Sequence, residues 1–257
     1  MAENNFSLQK TLTMLLDEKK YHSLRDILST MNPADIAAIF DDLDQACLPL
    51  LFRLLPKELA AETFVEMEPE AQELLIRGFS DSELKEVIDE LYVDDAVDIV
   101  EEMPANVVQR ILSQAEPDMR KQINEILRYP EDSAGSIMTT EYVSLRPNMT
   151  VEEAILRIRR TGIDKETIYT CYVTRGHKLI GLTSVKDLLL CEDDDATIES
   201  IMQEHVITVG TLDDKEQVAQ MFSKYNFLAL PVVDTEDRLV GIVTFDDAMD
   251  VMEDEAL

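Results

Sequence analysis

Bases, histidines, cysteines, glycines and long apolar runs are all scarce in this chain of 257 residues. It has 23 lysines and arginines against 53 aspartates and glutamates, a formal charge of −30. Residues 1–130 hold 27 acids and 12 bases, and residues 131–257 hold 26 and 11, so each half carries −15. Such a field disfavours nucleic acid or anionic lipid as partner and suits hard cations; mere solubility is the plainer account. Cys47, Cys171 and Cys191 lack the spacing of a disulfide framework or a metal knuckle, which points to a reducing cytoplasm. No stretch approaches the ~18 apolar residues of a membrane span. The run from Phe6 to Leu16 is too broken by polar residues for a signal peptide. The sequence therefore predicts a soluble polypeptide. Its seven glycines form no phosphate-cradling loop, and His22, His177 and His205 lack an evident nucleophile partner. No catalytic arrangement emerges, and an enzyme is not expected.

The length admits two or three domains, each with its own core. In the first half, Met31, Leu43, Leu55, Met67, Phe79, Leu91, Met103 and Ala115 stand twelve residues apart. Eight positions after each come Ile39, Leu51, Thr63, Leu75, Val87, Ile99, Ile111 and Ile123. Breakers and cap candidates follow many of the starts: Asn32-Pro33, Pro56, Pro69, Ser80-Asp81, Asp94, Pro104 and Pro117. The pattern predicts consecutive helices of about nine or ten residues joined by very short turns. Helices that short must bury their stripes on one another, giving a superhelical bundle, with an irregular helical bundle as the alternative. Gly78 is the only glycine here, so caps and prolines must make the turns. Residues 6–28 read as an opening helix pair with Leu8, Leu12, Leu15 and Leu16 on one face.

The second half repeats itself. Ser136-Ile137-Met138-Thr139 recurs as Ser200-Ile201-Met202-Gln203, 64 residues on. The step Leu179-Ile180-Gly181-Leu182-Thr183-Ser184-Val185-Lys186-Asp187 recurs as Leu239-Val240-Gly241-Ile242-Val243-Thr244-Phe245-Asp246-Asp247, only 60 on. Copy one therefore carries an insertion, placed around Ile163–Tyr169. Strands are predicted at Ile168–Val173, Val206–Val209, Leu228–Val233 and Leu239–Val243. Helices are predicted at Thr150–Thr161, at Asp213–Tyr225 and from Thr244 onward. The chain is thus multi-domain, α then α/β, and two tandem copies of a small α/β unit suit a binding or regulatory module.

The leading Ile-Met, the Pro231-Val232-Val233 strand and the Gly-x-x-[Ser/Thr]-x-x-Asp step resemble a tandem pair of cystathionine-β-synthase (CBS) domains. The helical repeat, the junction Tyr129–Met138 and the acidic end Asp246–Glu253 extend the likeness. Essentially all of the chain resembles the cytosolic part of an MgtE-type magnesium transporter. The resemblance implies a superhelical N domain over 1–130, CBS domains over 131–198 and 199–257, and the start of a connecting helix. It also implies a transmembrane domain of the same protein outside this chain, which would be a piece of a longer protein held at the cytoplasmic face of the cell membrane. A homodimer through residues 137–250 is expected, with Met249, Val251 and Met252 adding apolar surface.

Mg²⁺ takes oxygen ligands, usually one or two carboxylates, and keeps much of its water. Asp94 and Asp98 stand at i, i+4, extended by Asp95, Glu101 and Glu102. Asp247, Asp250 and Asp254 stand at i, i+3 and i+7, flanked by Asp246, Glu253 and Glu255. Plainer accounts are a helix N-cap for Asp94 and a solvated face for 246–255. The resemblance implies one Mg²⁺ site at Asp94, Asp98 and the Gly135 backbone, and others at Glu216, Asp247, Asp250 and Glu255. It departs at Asn226, where the family often has Asp. The function implied is Mg²⁺ sensing that closes the pore when intracellular Mg²⁺ is high. The alternative is an adenine-nucleotide module for ATP or AMP, with Ser184, Asp187, Thr244 and Asp247 facing ribose; plain helix capping accounts for the same residues. There Arg157, Arg159, Arg160, Arg175, Lys178 and Lys186 relieve the negative surface. A helical-repeat adaptor is a third reading.

Overall fold

Helices begin at Lys57, Pro69, Asp81, Val93, Ala105 and Pro117, each twelve residues after the last. The computed structural model describes residues 2–256, with side chains over 8–253. It divides into two compact units: Met1–Leu91 with Asp95–Arg120, and Tyr92–Asp94 with Lys121–Leu257. The helices are α1 (Ala2–Asp17), α2 (Tyr21–Leu28), α3 (Pro33–Asp41), α4 (Leu48–Phe52), α5 (Lys57–Val65), α6 (Pro69–Gly78), α7 (Asp81–Ile88), α8 (Val93–Glu102), α9 (Ala105–Gln114) and α10 (Pro117–Ile126).

Their starts follow local chemistry. Proline opens α3, α6 and α10, where its missing N–H has no intrahelical acceptor to lose. Asn32 caps α3 through the Ala34 amide, and Ser80 with Glu83 forms a reciprocal capping box on α7. Helix α4 is shorter than the period predicts, at five residues. The Asp44 side chain accepts from the Ala46 amide at 3.0 Å, a local turn that competes with helix. All eight residues of the second apolar series are buried, Thr63 among them. Phe52, Phe64 and Phe79 form an aromatic triangle with centroids 5.4–6.4 Å apart.

The second unit holds β1 (Tyr142–Leu145), α11 (Val151–Thr161), β2 (Thr167–Arg175), β3 (Lys178–Ser184), α12 (Val185–Leu190) and α13 (Ile198–Ile201), then β4 (Val209–Gly210), α14 (Lys215–Tyr225), β5 (Ala229–Val233), β6 (Leu239–Thr244) and α15 (Phe245–Ala256). Each copy makes a three-stranded sheet, β1-β2-β3 and β4-β5-β6, with a parallel then an antiparallel pairing. Strand β1 had no counterpart among the predicted strands. The predicted strand Val206–Val209 shrinks to two residues, because only Val209 and Gly210 find partners, on Val232 and Val233. The insertion in copy one is a 3-10 turn at Gly162–Asp164 followed by a bulge. Register jumps from Tyr142↔Thr167 to Val143↔Cys171, so Ile168, Tyr169 and Thr170 face no β1 residue.

The two repeated motifs meet across the copies. The Thr139 amide donates to the Ile242 carbonyl and the Ile242 amide returns a bond to Thr139, at 2.8 and 2.9 Å. Gln203 and Leu182 make the equivalent exchange at 2.8 and 3.0 Å. A Cβ at Gly241 would lie 2.6 Å from the Met138 sulfur and 2.8 Å from the Thr139 carbonyl. At Gly181 the same distances lead to Met202 and Gln203. Each copy's Ile-Met segment therefore lies against the other copy's glycine, and any side chain there would displace backbone. This close approach is what the repeated Ile-Met and the glycine step encode.

Candidate functional site: two acidic helices and two capped loops

Helix α8 carries five acids in ten residues, Asp94, Asp95, Asp98, Glu101 and Glu102, and no base. Its apolar members Val93, Ala96, Val97, Ile99 and Val100 are buried, which forces the acids into the remaining arc. Asp94 falls at the edge of that arc and is only 6% exposed, whereas Asp98 is exposed. The helix starts at Val93, so Asp94 lies inside the first turn rather than at the cap position. The helix dipole favours an acid there. The amide of Val93, in the second unit, donates to the Glu141 carboxylate at 2.9 Å. Glu141 also faces the Thr139 hydroxyl at 3.3 Å, and burial pushes its carboxyl above the usual range. Nothing in the sequence marks Glu141, an isolated acid ahead of β1.

Helix α15 carries Asp246, Asp247, Asp250, Glu253, Asp254 and Glu255, again without a base. Thr244, buried at the end of β6, donates its hydroxyl to Asp247 at 2.6 Å and also to Asp246, and its amide donates to Asp247 at 3.2 Å. Thr244 thus ties Asp246 and Asp247 together at the start of α15. Burial, then the Asp246 and Asp250 charges, push the Asp247 carboxyl up to about 6 against the pull of the Thr244 bonds. Asp250 is exposed, and the side chains of Asp254 and Glu255 lie outside the described residues. Glu216 is exposed in the first turn of α14, a helix that packs on α15.

The equivalent step in copy one is a closed capping box. The Ser184 hydroxyl donates to Asp187 at 2.7 Å and accepts from the Asp187 amide at 3.0 Å. Asp187 is exposed and Ser184 half-buried. Gly135 is held by backbone: its amide donates to the Thr211 carbonyl at 2.9 Å, and a Cβ would sit 2.5 Å from the Tyr129 ring. Asn226 ends α14 in the left-handed conformation, φ 54°, where asparagine is favoured. Its side-chain type therefore has a backbone cause.

Among the described residues no three histidine, cysteine, aspartate or glutamate side chains converge as a ready metal cage. The donors present are carboxylates and carbonyls, which fit a hard ion that retains its own water and needs one or two protein oxygens. They do not fit a soft metal.

Residues 31–132 match the MgtE intracellular N domain family, and residues 134–192 and 198–254 each match the CBS domain family. The chain is 39% identical over 254 residues to the magnesium transporter MgtE of Thermus thermophilus, an alignment covering 97% of this chain and 56% of that protein. It is 30% identical over 246 residues to the MgtE of Bacillus subtilis, covering 95% and 54%. The chain thus spans a little over half the length of these relatives. Among solved structures it is similar to the cytosolic domain of the Mg²⁺ channel MgtE in complex with ATP, at 38% identity and TM-score 0.88, over 95% of this chain and 99% of that one. A crystal structure of the soluble part of a magnesium transporter matches at 33% identity and TM-score 0.88 over the whole of both chains. Likeness to an inosine-5′-monophosphate dehydrogenase of Korarchaeum cryptofilum is confined to the CBS region, 28% identical over 114 residues. An N domain followed by two CBS repeats, matched end to end at TM-score 0.88, shows that this chain belongs to the MgtE family and corresponds to its cytosolic region.

Proposed function

We propose that this chain is a Mg²⁺-sensing regulatory region of a magnesium transporter or channel, closing the pore when intracellular Mg²⁺ is high. The observation that carries this reading is the pair of helices α8 and α15, with five and six acids and not one base between them. Two carboxylates ~4–6 Å apart repel by about 3–4 kcal/mol at an effective dielectric near 20. A divalent cation removes that cost, and screening by salt weakens it only in part. Asp94, Asp98 and the Gly135 backbone would hold one Mg²⁺; Glu216, Asp247, Asp250 and Glu255 would hold others. Bound Mg²⁺ supplies the positive charge that lets the acidic faces of the N domain and the CBS pair come together. The region acts at the cytoplasmic face of the membrane, as a homodimer through residues 137–250, on the transmembrane domain of the same protein.

Calorimetry tests this directly. Mg²⁺ titrated into the chain should give saturable heats, weakened several-fold in Asp98→Asn and in Asp250→Asn. Absence of heat, or variants that bind like the parent, would remove those carboxylates from the site.

A second reading, ATP binding to the CBS pair, is favoured by one observation: the relative of 38% identity was solved with ATP. Ser184 with Asp187 and Thr244 with Asp247 offer a hydroxyl–carboxylate step in each copy. Their mutual bonds leave one oxygen of each carboxylate outside the cap for ribose. Thr244→Ala should weaken ATP and spare Mg²⁺, the reverse of Asp250→Asn.

A further inference from the structure

Acids outnumber bases 53 to 23 in this chain, so its arginines have no shortage of carboxylates to pair with. Arg53, Arg77, Arg110, Arg175 and Arg238 each have a carboxylate within ion-pair distance. Arg146, Arg157, Arg159 and Arg160 in copy one have none among the described residues, and three of these stand together. Arg157 and Arg160, at i, i+3 on α11, share a face. With Arg146, on the loop leaving β1, they line a depression of about 320 Å³. The Nε of Arg157 donates to the Ser144 carbonyl at 3.0 Å, which fixes the guanidinium plane and leaves both Nη groups without a partner among the described residues. Among the described residues Arg160 likewise commits only its Nε, to the Leu156 carbonyl at 3.4 Å. Asn148 adds an amide to the wall. Glu153 is the one acid lining it, and one of its oxygens is engaged by the Thr150 amide in the α11 capping box.

Three guanidinium groups against one carboxylate leave a local excess of two positive charges, in a copy of the repeat whose partner copy has no such cluster. Guanidinium forks match phosphate oxygens in shape as well as charge. Solvated arginines would have been the default in a neutral protein. Here some of the 53 acids could have neutralised them and do not.

We propose that this depression on the first CBS copy is a phosphate-binding site, separate from the Ser184 and Asp187 step and independent of the Mg²⁺ reading. The phosphate comes either from a free polyphosphate or from an anionic lipid headgroup, which offer the same group to the same arginines.

The test uses the full chain in metal-free buffer, with inorganic pyrophosphate as one probe and phosphatidylglycerol vesicles, against phosphatidylcholine vesicles, as the other. Pyrophosphate should bind with an affinity that falls as salt rises. Arg157→Gln and the double change Arg146→Gln/Arg160→Gln should each weaken it about tenfold, the size of a lost charge-assisted bond. The double variant leaves the Arg157–Ser144 bond intact, so a loss there is not a folding defect. Sedimentation of the parent, but not the variants, with phosphatidylglycerol alone would assign the phosphate to lipid; pyrophosphate binding alone would assign it to a soluble ligand. Neither probe bound, or both bound equally by parent and variants, overturns the site.

Discussion

Residues 131–198 hold 12 acids and 8 bases, and residues 199–257 hold 14 acids and 3, so the two CBS copies carry −4 and −11 on the same sheet-and-helix plan. They share what the fold needs. Each lays a methionine against the other's glycine, and each opens its last helix with a hydroxyl bonded to an aspartate three residues on. They differ where the fold is indifferent. Lys186 in copy one stands where copy two has Asp246, and Arg157 and Arg159 of α11 stand where α14 has Met221 and Ser223. Close backbone approach fixes Gly181 and Gly241, while exposed arcs were free to diverge into a weakly acidic copy and a strongly acidic one.

The packing side of this comparison is where the largest effects lie. Met138 is 3% exposed and Met202 only half-buried. Met138→Ala should therefore cost about 2–5 kcal/mol of unfolding free energy, as buried large-to-small changes do. Met202→Ala should cost less. Equal losses in denaturant unfolding would show that the exchange is symmetric after all. Next come the caps. Thr244→Ala should lower stability by about 1 kcal/mol, as should Ser184→Ala. Only the Thr244 change should also push the Asp247 carboxyl further up, because it removes bonds that favour the charged form.

Charge effects are read through pH. The folded protein raises Asp247 from 3.8 to about 6, so it holds this proton more tightly than the unfolded chain does. The sign follows: the cost of ionising Asp247 is absent below about 4, grows as pH rises, and is fully present above about 6. Asp247→Asn should be more stable than the parent at neutral pH without metal, with the advantage fading as pH falls through that window. A pH-independent difference would mean that the carboxylate is not held against its preference. Smallest of all, Asp98→Asn and Asp250→Asn should raise metal-free stability by at most a few tenths of a kcal/mol, since exposed charges gain little from removal. Their melting without metal should be nearly that of the parent, and their response to Mg²⁺ should not.

Much of the fold was legible because local rules mark it. Prolines and caps set helix starts from Lys57 to Pro117, and β-branched runs set β2, β5 and β6. Whether Asp94 is a first-turn acid or a cap is not legible in sequence, because helix starts favour an acid at both places; the helix begins at Val93, whose amide bonds Glu141, 48 residues on. Strand β1 escaped because Tyr142–Leu145 is four residues long and depends on its partner in β2. The Ile-Met and glycine motifs were visible as repeats, but that each meets the other copy's partner is a tertiary fact. The candidate residues were easier to list than to connect. Carboxylate spacing placed Asp246, Asp247 and Asp250 on one helix, whereas the arginine depression needs the β1 loop folded against α11.

Solution scattering from chelator to millimolar Mg²⁺ bears most directly on the claim that metal-relieved repulsion drives regulation. The account predicts that the radius of gyration falls with Mg²⁺, that protease protection rises near Tyr129–Gly135, and that both responses weaken in the Asp98→Asn and Asp250→Asn variants. A radius and a cleavage pattern that do not change across that range would contradict it.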